Sequence, residues 1–416
     1  MRVAEAALRE AADAFERESS PAAPLGVAAA ALRDAGWLAA HRFVVALSHA
    51  APFAAADVSP MAFHAALRAF RLAVARHNLR ELACSPVLFE HYHALRTQVA
   101  RDLRTDTPHD ALALAGRPVP PATLHTLPDH AFLHVRARFE QALLAVLRAP
   151  QAPPDAALDE IAACAAALSG PLPYDYWRLA GACAHALRVS GAAELKRFLA
   201  RCNLLLGEQA RGLRVASPVL VRETLALIWR DYALYGAAAE DADDVELLRD
   251  YGLTVDWHVA ATQASETLWE ADAARAERAA LEDAPTRELG VVTVNAYAYE
   301  DFLQTADASM AELAGEIRAA DAGTALRAAD AAYRVGAAAG ALGLGHLALL
   351  ADALGLAWRR RALAGPPDAA GAAVVARAAE ALRAALHKIA AGVAPSGLST
   401  VCWSLADLLA RPPAQA

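Results

Sequence analysis

Apolar residues return every three or four positions along most of this chain and almost nowhere alternate. "HAFLHVRARFEQALLAVLR", "DAALDEIAACAAALSG", "YDYWRLAGACAHALRVS", "AAELKRFLARCNLLLGEQARGL" and "SPVLVRETLALIWRDYALYG" each keep one apolar stripe at the helical period. The only strand-like fragment is "VVTV" at Val291, too short for a core strand. The hydrophobic fraction is 56% but aromatics are only 6%, so much of the apolar content is alanine. Alanine has the highest helix propensity and lets helices approach closely. The pattern predicts an all-α protein of helical bundles.

Proline and glycine clusters divide those helices. "GRPVPPATLHTLPD" (Gly116 to Asp129) and "APQAPPD" (Ala149 to Asp155) read as linkers or inter-helix loops, because successive prolines cannot continue a helix. "EDAPTRELGVVTVN" (Glu282 to Asn295) reads as the main inter-domain connection. The expected organisation is a helical region over 1–115, a central bundle over 129–280 and a last bundle over 295–392. Asp155 stands at a cap position, and Ser217 followed by Pro218 is a helix start. No repeat of fixed period is evident.

The last bundle has the clearest pattern. Its first helix puts Phe302, Ala306, Met310, Leu313 and Ile317 on one stripe, and its second Ala328, Ala332, Val335, Ala339 and Leu342. The third contributes Leu347, Leu350, Leu354 and Trp358, and the fourth Val375, Ala378, Leu382, Leu386 and Ile389. Four such helices with short loops predict an up-down four-helix bundle. On the second helix Tyr333 stands off the apolar stripe, with Asp330, Gly336 and Ala337 as same-face neighbours and Arg334 beside it. One large ring among small residues, Gly340 included, reads as a face open to another protein's backbone. That reading requires the ring to be exposed.

Other features exclude function classes. A net charge of −8 with both signs interspersed gives no stripe of the kind nucleic acid requires. Cys84, Cys164, Cys183, Cys202 and Cys402 are odd in number and widely spaced, which reads as reduced thiols. The first twenty residues lack the apolar stretch of a signal peptide, and no run has the length and composition of a membrane span. The expectation is a cytoplasmic protein without cofactor or metal. In "EHYH" (Glu90 to His93) the residues two apart do not share a helical face, against a metal site. "WRRR" (Trp358 to Arg361) reads as arginines completing a helix C-terminus, and the acidic "EDADD" as a solvated loop. No phosphate-binding or nucleophile-elbow motif stands in a strand-turn-helix context.

The stretch "AAYRVGAAAGALGL" resembles the signature of histidine-containing phosphotransfer (Hpt) domains, roughly A-H-T-L-K-G-x-A-x-x-L-G. Ala332, Val335, Ala339, Leu342 and Gly343 fall on that family's core and turn positions. Tyr333 falls on the phosphorylated histidine, Gly336 on the neighbouring lysine and Ala337 on the glycine after it. A phenol titrates near ~10 and an imidazole near ~6.5, so the resemblance implies a bundle that keeps the shape and loses the relay chemistry. Upstream, "RHNLRELACSPVLFE", "VRARFEQALLAVLR", "YDYWRLAGACAHAL", "LKRFLARCNLLLGEQARGL" and "SPVLVRETLALI" look like the N-terminal region of ChpA/PilL-type chemosensory kinases of type IV pilus systems. They are also similar to the FimL-type stand-alone scaffolds. No kinase ATP-binding region or receiver follows, which favours the scaffold. The resemblance implies a non-catalytic role in twitching motility and cyclic-AMP signalling. It also implies docking of a CheY/PilG-like receiver around Asp330, Tyr333, Arg334, Gly336, Ala337 and Gly340. A FimV-like polar hub as second partner and recruitment to the cell pole are further implications. The alternative is an active phosphotransfer protein using another side chain, with His346 and His387 as the nearest candidates.

Overall fold

The computed structural model describes residues 1–56, 60–103, 112, 114–149, 153–190, 192–235, 242–253, 286–289, 292–316, 321–393, 395 and 397–411. Apart from one hairpin, the regular structure among them is helical. The chain forms two compact units, residues 1–118 with 260–408 and residues 119–259 with 409–416. The regions expected as separate domains over 1–115 and 295–392 thus belong to one unit.

The first unit begins with α1 (Arg2–Glu16), α2 (Ala22–Asp34), α3 (Leu38–Ala56) and α4 (Pro60–Ala75). Each helix packs on the next, and α4 closes back on α1. The short α5 (Leu79–Cys84) and α6 (Pro86–Leu103) lie against α3 and α4. Phe43 of α3 stacks on Phe70 of α4 with ring centroids 4.5 Å apart, both fully buried. Such pairs anchor a core otherwise rich in alanine, which contributes little apolar area per residue.

In the second unit, α7 (Asp129–Arg148), α8 (Asp155–Leu168), α9 (Tyr176–Ser190) and α10 (Ala192–Ala210) close the same four-helix circuit. α11 (Pro218–Tyr235) lies against α9, and α12 (Ala242–Asp250) follows. Asp155 is the first residue of α8 rather than its cap, so it acts on the helix dipole only. Ser217 does cap α11, its hydroxyl accepting from the Leu220 amide at 3.2 Å. Part of the proline-rich segment is fixed in the core. Ala122 and Leu124 are buried, and Thr123 bridges to both Asp175 and Val215. Its backbone polar groups are satisfied by two other loops instead of water.

The C-terminal part of the first unit starts with an antiparallel hairpin, β1 (Thr286–Leu289) and β2 (Val292–Asn295), paired from Thr286↔Asn295 to Leu289↔Val292. This hairpin is a difference from the sequence reading, which left the segment as a connection. Leu289, Val292 and Val294 are buried, so its alternation is real but lasts only four residues per strand. Then come α13 (Ala296–Glu316), α14 (Ala322–Ala341), α15 (Gly345–Ala364), α16 (Ala369–Ala390) and α17 (Ser399–Leu409). α13 packs on α14, α14 on α15, α15 on α16, and α16 closes on α13. The expected up-down four-helix bundle is present.

Candidate functional site

The candidate site is built around α14, whose ends are set locally. Asp321 caps it, its carboxylate accepting from the Thr324 amide at 2.9 Å; the hydrogen bond from the Thr324 hydroxyl, and then that amide, hold the carboxyl below its usual value. At the other end Gly343 takes φ +72°, and the Leu344 amide reaches back to the Ala339 carbonyl at 2.9 Å. This is a left-handed helix stop of the kind glycine favours. Gly343 has a second duty in this fold. A Cβ there would lie 2.8 Å from the Trp37 ring, and the Gly343 carbonyl accepts from the Trp37 indole N–H at 2.9 Å. The α14–α15 turn is therefore seated on the α2–α3 turn, where the His346 ring also meets the Asp34 carbonyl at 3.0 Å.

The predicted inner stripe of α14 is buried at every position: Ala328, Ala332, Val335, Ala339 and Leu342. Tyr333 is buried as well, at 6% exposure, which corrects the expectation of an exposed ring. The reason lies on the next helix. Gly355 of α15 faces the ring so closely that a Cβ there would stand 2.7 Å from two of its carbons. Glycine leaves the slot that the ring fills. Position 333 is an α14–α15 packing contact, and no partner can touch its ring without opening that interface.

Gly336 and Gly340 are corrected in the same way. Both are buried. A Cβ at Gly336 would overlap the Asp352 carboxylate, which accepts from Arg117 at 2.7 Å. Gly340 faces the aliphatic stem of Arg80 from α5, with 3.4 Å between an added Cβ and the Arg80 Cγ. What the sequence presented as a landing strip for another chain is occupied by this chain's own Asp352, itself paired with Arg117, and by Arg80. Three of the six expected docking residues keep some exposure. Arg334 is exposed and pairs with Glu312 of α13, while Asp330 and Ala337 are partly exposed. With Arg327 and Ala341 they define the open face of α14.

Chemically this region offers little. α14 carries no histidine or cysteine, and its phenol is enclosed. His387 is exposed on α16, a different helix. Among the described residues no group of three or more histidine, cysteine or acidic side chains could hold a metal ion. In "EHYH", Tyr92 is buried and His93 exposed, and desolvation of half-buried His91 lowers its pKa. The thiols of Cys202 and Cys402 are pushed up to about 12 and about 11 by burial, which makes them poor nucleophiles.

The arginines of "WRRR" do more than complete a helix end. Arg359 is buried, Arg360 donates to the Leu408 carbonyl at 3.2 Å, and Arg361 lies over the Trp358 ring at 5.0 Å. Arg360 thus satisfies a C-terminal carbonyl of α17, not of its own helix. Of "EDADD", Glu240 and Asp241 lie outside the described residues, while Ala242, Asp243 and Asp244 form the first turn of α12 rather than a loop. Ile317 and residues 254–280 of the expected central bundle also lie outside the described residues. Sequence reasoning missed Arg80, Arg117, Asp352 and Gly355. A signal existed for one of them: Asp352 is the lone acid in the apolar run "HLALLADALGLAW", where an unpaired charge is costly and a partner is required.

Comparison of the chain with protein-family models, with curated proteins and with solved structures returned no match.

Proposed function

We propose that this protein is a non-catalytic scaffold of the FimL type in type IV pilus chemosensory signalling. Its last four-helix bundle would bind a CheY/PilG-like receiver without exchanging phosphate. The observation that carries the non-catalytic part is the enclosure of Tyr333 against Gly355, at the position where the resemblance calls for a reactive histidine. A phosphoryl acceptor must be reached in line by its donor, and this side chain is not reachable. The family resemblance rests on the sequence stretches alone. Docking, in this reading, uses the open face of α14 (Arg327, Asp330, Arg334 and Ala337) rather than the ring.

Co-elution of the full chain with type IV pilus receiver domains tests the reading. Ala337→Glu and Arg334→Glu should each weaken association, whereas Tyr333→Phe should leave it unchanged. A receiver that binds both charged variants as tightly as the parent removes this face. Incubation with a phosphorylated receiver tests the other part: an acid-labile, base-stable phosphoryl group on this chain would favour an active relay instead.

A further inference from the structure

A groove of about 440 Å³ runs along the outside of the first unit between α1 and α4. The two helices lie antiparallel. Glu5 meets His77 at 2.6 Å near one end, and Phe15 with Glu16 meet Phe63 with His64 at the other. The lining spans Glu5 to Glu16 on α1, about 16 Å or three helical turns. Leu8 and Leu67 are buried in its floor, and Leu72 stands 46% exposed at its edge.

Charge on this groove leans positive, with three arginines against two carboxylates. Its two carboxylates are engaged at the ends, Glu5 with His77 and Glu16 with His64. Between them stand Arg9 on the α1 side and Arg68 and Arg71 on the α4 side. Arg9 lies near enough to Glu5 to help lower its pKa. None of the three arginines makes a hydrogen bond or ion pair among the described residues. By the antiparallel register, Arg9 comes opposite Arg71. Like charges facing across a groove repel, and a bound anion between them relieves the repulsion further than water and salt do. The whole chain carries −8, so this local excess of positive charge runs against the net sign.

We infer that the α1–α4 groove is a docking site for an acidic amphipathic helix of a partner protein, its apolar ridge on Leu8, Leu67 and Leu72 and its carboxylates between Arg9 and the Arg68–Arg71 pair. The groove's parallel helical walls, its apolar floor and cations on both rims match a helix with acidic flanks. This site is separate from α14 and does not depend on the receiver reading.

The probe is a synthetic, fluorescein-labelled peptide of about five turns, with leucines at helical spacing and glutamates on the flanks. Its anisotropy is followed against the full chain. Saturable binding is expected. It should weaken by about tenfold or more in Arg9→Glu/Arg71→Glu and stay unchanged in Arg148→Glu, whose charge lies on α7. If the double charge reversal perturbs folding by circular dichroism, Arg68→Gln/Arg71→Gln is read instead and should weaken binding in the same direction. Undiminished binding by the groove variants overturns the proposal. So does equal affinity for a scrambled peptide of the same composition. Sedimentation of the chain with phosphatidylserine vesicles, without peptide binding, would assign the arginines to a membrane surface and also overturns it.

Discussion

Replacing Tyr333 with alanine separates a packing role from a surface role. The side chain is 94% buried, the complement of its 6% exposure. A buried aromatic side chain removes about 150–250 Å² from water, and apolar burial contributes about 25 cal/mol per Å². After allowing for what alanine still buries, the loss is about 3–4 kcal/mol, within the usual range for aromatic-to-alanine changes in a core. For a unit of this size that is a fall of roughly 6–16 °C in the Tm of its unfolding transition. Calorimetry of the full chain reads that shift, and hydrogen exchange of the α14 and α15 amides localises it. The diagnostic arm is Gly355→Ala. Its methyl group would stand 2.7 Å from the ring, so in the parent it should destabilise by about 1–2 kcal/mol despite better helix propensity. In the Tyr333→Ala background the ring is gone, and the same substitution should be neutral or stabilising. A Tyr333→Ala loss below about 0.5 kcal/mol, the size of an ordinary surface change, would refute the enclosure of the ring. An identical Gly355→Ala effect in both backgrounds would refute the contact itself.

The Arg117–Asp352 pair is mostly buried and lies over Gly336, so Asp352→Asn should destabilise the first unit by about 1–3 kcal/mol, less than a fully buried pair because Arg117 keeps contact with water. Denaturant titration of the single and double variants with Arg117→Gln measures the coupling, and full additivity would show that the pair contributes nothing. A pH effect follows from Glu5. Its hydrogen bond with His77 holds the carboxyl below its ordinary value of 4.5. Because the folded pKa is the lower one, the stabilisation is fully present above about 4.5 and disappears as pH falls through the folded value. Thermal scans between pH 6 and pH 3 should show a shallower loss of stability in Glu5→Gln than in the parent, and parallel curves would contradict the assignment.

Helix identity was legible because it is a one-dimensional property. The stripes on α14, α15 and α16 follow from spacing, and all the described positions predicted on the α14 and α15 stripes are buried. On α13 Met310 is only partly covered, and on α16 Val375 is too. The candidate site was less legible. A stripe identifies a face that must be covered, yet it does not show that the opposite face is free. α14 has small residues at Gly336 and Gly340 off its apolar stripe, so side chains of α15 and α5 can close on it there as well. The chain's alanine content hides the architecture's regularity: α1–α4, α7–α10 and α13–α16 each close a four-helix circuit, although no sequence period announces it.

By itself the sequence determined that the chain is helical and which residues of α14 and α15 form their buried stripes. These follow from propensity and from the 3.6-residue repeat, which act over a few residues. Only the tertiary structure decided that residues 1–118 share a compact unit with the last four-helix bundle, that Tyr333 fills the space left by Gly355, and that Gly336 and Gly340 are covered by Asp352 and Arg80. Those contacts join residues far apart in the chain, and a glycine reads the same whether it makes room for a partner's backbone or for a side chain of its own protein.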